Sequence, residues 1–122
     1  AYRQADAGDL RAAATSARRA QSLNPLSPEP LFARAAIAGL AGDDRAAEVF
    51  HEQATRLQPE NPATWWELGL FRQLALGNQC SAYFAFNAAY TLDPRGSRFS
   101  AGGPLDIAKA AVNDPVDPAC GR

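Results

Sequence analysis

An all-α fold of repeated helical hairpins is predicted by three observations that share one register. The first is a recurring phrase, Ser22-Leu23-Asn24-Pro25, Arg56-Leu57-Gln58-Pro59 and Thr91-Leu92-Asp93-Pro94, whose prolines stand 34 and then 35 residues apart. The second is a ladder of small residues at fixed offsets before each proline: Ala13 and Ala20, Ala47 and Ala54, Ala82 and Ala89. The third is a break in the middle of each unit, at Gly8-Asp9, Gly42-Asp43 and Gly77-Asn78. Each has a physical cause. Glycine takes the left-handed conformation that ends a helix, and the following Asp or Asn caps the next one. Alanines seven apart lie on one helix face, where a crossing helix leaves no room for more. Proline stops the second helix of the unit and starts the connector. A hairpin of this kind cannot bury its apolar face alone, so such units stack.

Taken in order, the pattern predicts a helix remnant over 1–6 and helices near 9–22, 28–41, 43–57, 62–76 and 79–92. Residues 95–103, Arg-Gly-Ser-Arg-Phe-Ser-Ala-Gly-Gly, read as a loop. Pro104 suits the first turn of a further helix over 104–112, with Asp106 favourable near its positive end. The Asp-Pro pairs at 114–115 and 117–118 oppose any continuation. The organisation expected is therefore repeats over 1–94, followed over 95–122 by a loop, a capping helix and a tail.

Composition narrows the function. The 122 residues are 47% hydrophobic, which suits one globular core and argues against wholesale disorder. The net charge is -1, and the eleven arginines alternate with acids, so no basic stripe for nucleic acid is expected. No apolar run approaches the ~18 residues of a membrane span, so direct membrane insertion is not expected either. The chain has no methionine and opens within a helical pattern, which reads as a piece of a longer protein.

These residues resemble the tetratricopeptide repeat, a helix-turn-helix unit. The third unit carries the match most fully, with Trp65, Leu68, Gly69, Gly77, Ala82, Phe86, Ala89 and Pro94. It departs from the pattern by one extra residue before Gly77 and by lacking the usual aromatic near Arg72. The second unit has Leu31, Ala35, Ala38, Gly42, Ala47, Ala54 and Pro59, and the first keeps Gly8, Ala13, Ala20 and Pro25. The resemblance implies a right-handed superhelical stack of about two and a half repeats, closed by the C-terminal capping helix. It also implies a non-enzymatic scaffold whose first helices line a groove. Family groove positions fall on Glu29, Phe32, Ala36, Gly39 and Leu40 in the second unit. In the third they fall on Ala63, Trp66, Leu70, Gln73 and Leu74. Such a groove would accept a protein or peptide segment. Alternatively, the capping segment, Phe99 or the rest of the parent chain covers it.

Catalytic chemistry finds little to build on. His51 is the only histidine, which leaves a His-based triad or an ordinary metal site short of groups. Glu48 and Glu52 share a helix face, as solvated faces often do. No cofactor motif is present. The informative pair is Cys80 and Cys120. Cys80 opens the second helix of the third hairpin, and the tail bearing Cys120 is expected to emerge near the same turn. A bridge closing that 40-residue span would contribute about 4 kcal/mol at best and would imply an oxidising compartment.

Two further readings remain open. The phrases Trp65-Trp66-Glu67-Leu68-Gly69-Leu70-Phe71, Ala88-Ala89-Tyr90-Thr91-Leu92-Asp93-Pro94 and Gly102-Gly103-Pro104-Leu105-Asp106 resemble C-terminal regions of actinobacterial membrane proteins of the O-antigen ligase or polymerase type. That likeness implies an extracytoplasmic accessory domain beside a membrane enzyme. Alternatively Trp66, the tryptophan not used at a packing position, stacks on a glycan.

Overall fold

Helix boundaries follow the punctuation of the sequence closely in the computed structural model, which describes residues 7–113. The protein is all-α: among the described residues there are six α-helices and no strand, and the helices pack on their chain neighbours within each of two compact units. They are α1 (Ala7–Leu23), α2 (Glu29–Leu40), α3 (Asp44–Leu57), α4 (Pro62–Leu70), α5 (Gln79–Leu92) and α6 (Pro104–Val112). A π-helical turn, Phe71–Ala75, prolongs α4, and a 3-10 turn, Ser97–Phe99, precedes α6. The remnant expected over 1–6 and the Asp-Pro pairs lie outside the described residues. The chain divides between Gln58 and Pro59 into two compact units.

In the first unit α2 packs against both α1 and α3. The α2–α3 turn is three residues long and satisfies its own backbone. Gly42, at φ +83°, donates its N–H to Gly39 O, and the Asp43 N–H reaches Ala38 O. That pairing closes the end of α2 with the left-handed glycine motif. Asp43 then caps α3, its carboxylate accepting the Ala46 N–H at 3.0 Å. The interior is built from small residues: Ala35 of α2 is buried, and Ala47 and Ala54 of α3 have no exposed surface. Two polar ties fix the edges. Arg34 donates to Gln21 Oε1 at 2.7 Å, and Gln58 Nε2 donates to Leu26 O at 2.7 Å.

The first unit departs from expectation at its N-terminal side. Gly8 lies inside the first turn of α1 and makes no left-handed break. Ala13 is exposed and Ala20 half-buried, whereas their counterparts are fully buried.

In the second unit α4 and α5 form a hairpin against which α6 packs through α5. Asn61 caps α4 by accepting the Ala63 N–H, and Asn78 caps α5 by accepting the Ser81 N–H. Gly77, at φ +64°, makes the turn. The extra residue before Gly77 explains why α4 does not run on to 76. The Leu76 N–H bonds to Phe71 O, five residues back, and the Asn78 N–H to Arg72 O, six back. A widened turn absorbs one residue without shifting the hairpin's register. In the core, Ala82, Phe86 and Ala108 are wholly buried, with Trp66, Leu70, Tyr83 and Leu105 packed around them. Phe86 lies so close to Gly69 that a β-carbon there would sit 2.5 Å from the ring.

Candidate functional site

Amphipathic packing of α2 on its neighbours decides which groove positions of the first unit stay accessible. Glu29, Phe32, Ala36, Gly39 and Leu40 recur at helical spacing on one face of α2. Glu29, Ala36 and Gly39 are exposed, Leu40 is 56% exposed, and Phe32 is half-buried. Phe32 rests on His51, with ring centroids 6.0 Å apart. His51 projects from α3 between Ala47 and Ala54 and is itself buried. Burial in that apolar surround lowers its pKa to about 4, so the ring is neutral at physiological pH. It acts as a packing residue beneath the α2 face.

In the second unit three of the corresponding positions, Trp66, Leu70 and Gln73, are engaged from within the chain. Trp66 lies 4.9 Å from Phe86 and meets Phe99 edge-on at 5.5 Å. Leu70 packs on the Ala82–Phe86–Ala108 cluster. Gln73 is buried, its Nε2 donating to Gln79 Oε1 at 2.9 Å and to Pro104 O at 3.0 Å. The first turn of α6 is thereby fastened to the end of α4. Ala63 is half-buried, and Leu74 is 76% exposed. Trp65, next to Trp66, donates its indole N–H to Pro59 O at 2.9 Å, which holds the entry to α4.

The repeat-defining residues are placed by the same packing. Leu68, Gly69, Ala82 and Ala89 are buried in the second unit, while Pro25, Pro59 and Pro94 are exposed two residues beyond α1, α3 and α5. Cys80 is half-buried in the first turn of α5, and Cys120 lies outside the described residues.

Two concavities were not singled out by the sequence reasoning. In the first unit a 220 Å³ hollow is floored by Ile37, Ala38 and Phe50 and rimmed by Arg18 and Arg34. The Arg34 guanidinium sits 4.4 Å above the Phe50 ring. In the second unit a 260 Å³ cleft lies among Tyr83, Asn87 and Tyr90 of α5, Phe99 of the 3-10 turn, and Asp106 and Lys109 of α6. Tyr83, Asn87 and Tyr90 are spaced four and three apart, which marks one face of a helix. That signal was present in the sequence, but the helix bringing Asp106 and Lys109 opposite it was not fixed by spacing. Among the described residues, no group of three His, Cys, Asp or Glu is placed to hold a metal ion.

No protein-family model matches the chain, and no curated protein matches it. The functional reading therefore rests on the residues themselves. Among the described residues no helix is long and apolar enough to cross a membrane.

Proposed function

We propose that the chain is a non-enzymatic, tetratricopeptide-type scaffold within a larger protein, and that it holds a protein or peptide on the face of α2. The observation that carries this reading is the state of the groove positions. On α2 an apolar strip with Leu40 at its exposed end and Phe32 beneath stays accessible. In the second unit Trp66, Leu70 and Gln73 are taken up by Phe86, Phe99 and α6. A rigid helix presenting aliphatic and aromatic anchors at helical spacing suits an amphipathic helix or an extended segment. Leu40→Asp should abolish capture of the partner recovered with the unmodified chain while leaving its helical circular-dichroism spectrum unchanged. Equal recovery by both would remove the α2 face from this reading.

The proposal includes a Cys80–Cys120 bridge and, with it, work in an oxidising, extracytoplasmic compartment. It is supported by the absence of a free cysteine among the described residues. Alkylation without reductant followed by mass spectrometry should find neither cysteine modified; two alkylated thiols would sink the bridge and the location together. The phrases around Trp65, Ala88 and Gly102 favour a second reading, an accessory domain of an O-antigen ligase-type membrane protein. Several apolar spans encoded upstream in the parent gene would support it, and a soluble upstream region would overturn it.

A further inference from the structure

The cleft between α5, the 3-10 turn and α6 carries more chemistry than packing requires. Its walls are aromatic: Tyr83 and Tyr90 from α5, and Phe99 from the turn. Phe99 is held in place by edge-on contacts with both Tyr90, at 5.2 Å, and Trp66, at 5.5 Å. The residues that line it also carry the Tyr83 and Tyr90 hydroxyls, the Asn87 amide and the Lys109 ammonium. None of these four groups hydrogen-bonds to another side chain or to backbone among the described residues. One oxygen of Asp106 accepts the Gly102 N–H at 2.8 Å, which orients the carboxylate and leaves its other oxygen available. A tethered carboxylate, an amide and two hydroxyls are therefore gathered beside three rings within one compact unit.

The properties of this cluster select a ligand class. Lys109 and Asp106 bring one charge of each sign, so the cleft favours neither an anion nor a cation. Hydroxyl and amide groups both donate and accept, and the Asn87 amide can engage two adjacent hydroxyls at once. Aromatic walls suit the C–H face of a saturated ring, which needs no charge. The 260 Å³ volume lies below the ~300–1,000 Å³ usual for sites enclosing larger ligands, which limits the occupant to about one ring. We propose that this cleft binds a single neutral pyranose unit, free or at the end of a glycan. The site is separate from Trp66, whose ring is engaged by Phe86 and Phe99, and the inference is independent of the α2 partner surface.

The test uses the full 122-residue chain, ¹⁵N-labelled, titrated with the methyl glycosides of glucose, mannose and galactose. At least one should shift the backbone amides of Asn87, Tyr90 and Lys109 with half-saturation in the millimolar range, as a small polar ligand allows. Asn87→Ala, at an exposed position, should weaken that binding at least about tenfold, the loss of one good hydrogen-bonding group. Arg34→Ala, in the other unit, should leave it unchanged. The inference is overturned by the absence of shifts with all three glycosides at tens of millimolar. Shifts that persist undiminished in Asn87→Ala would overturn it too, as would a response to glucuronate alone, which would mean that charge and not the neutral ring is recognised.

Discussion

At Gly69 and Gly39 the same residue type stands in a helix for opposite physical reasons. A β-carbon on Gly69 would meet Phe86 Cδ1 and Cε1 at 2.5 Å, and the Phe86 ring is fully buried and cannot swing away. A β-carbon on Gly39 would meet nothing within 4 Å. Replacing a helical glycine by alanine ordinarily gains about 0.5–1 kcal/mol, and overpacking a core costs about 1–3 kcal/mol. Gly39→Ala should therefore raise the urea midpoint and Gly69→Ala lower it, by a net cost of about 1–2 kcal/mol. Shifts of the same sign would contradict the close approach of Phe86. His51 offers a second test at this scale. Its pKa falls from 6.5 to about 4 on burial, so below pH 6.5 the unfolded chain binds the proton first. Stability contributed by the neutral ring is full above pH 6.5 and is lost as pH falls towards 4. Discounting for partial solvent screening, the loss is on the order of 2 kcal/mol. Thermal unfolding of wild type and His51→Gln should diverge across that window, and parallel curves would rule out His51 as the source.

At the scale of the element, caps and one buried amide decide how helices begin and where α6 rests. Asn78 and Asp43 each accept an N–H three residues on, so Asn78→Ala or Asp43→Ala should cost about 1 kcal/mol. Both caps were legible in the sequence, because a Gly followed by Asp or Asn is a local signal needing no distant partner. The widened turn at Phe71–Ala75 was legible only as one surplus residue. Its placement followed from the demand that Gly69 face Phe86 while Gly77 still closes the hairpin. Gln73 is the clearest case of a residue whose role came from afar. Its amide reaches Pro104 O, 31 residues away. Gln73→Leu would remove both hydrogen bonds of that buried amide, at a cost of about 1–3 kcal/mol. Hydrogen exchange should then speed up in α6 more than in α4, whereas a uniform change across both helices would argue against Gln73 as the fastening.

For the whole molecule, the two units can be followed separately. Both tryptophans lie in the second unit, on α4, so indole fluorescence reports that unit alone. If Cys80 and Cys120 are joined as proposed, reduction should lower the fluorescence-detected transition by up to about 4 kcal/mol. The exchange protection of α3, in the first unit, should be unaffected. An unchanged indole transition on reduction would show that the bridge, if formed, does not stabilise the unit.

The amino-acid sequence by itself determined the all-α class, the helix boundaries to within a few residues and the alanine ladder, because caps, breakers and periodicity act over a few positions. Small residues seven apart also foretold the buried stripe of Ala47 and Ala54 and of Ala82 and Ala89, although not the exposure of Ala13. Tertiary structure alone decided which surfaces stay accessible. Whether Trp66 is open or covered depends on where Phe99 and α6 come to rest, and that is settled by long-range packing on Phe86 and by the reach of Gln73. The same docking of α6 sets Asp106 and Lys109 opposite Tyr83, Asn87 and Tyr90. No local pattern could place them there, since a cleft between distant segments exists only once the core that joins them has formed.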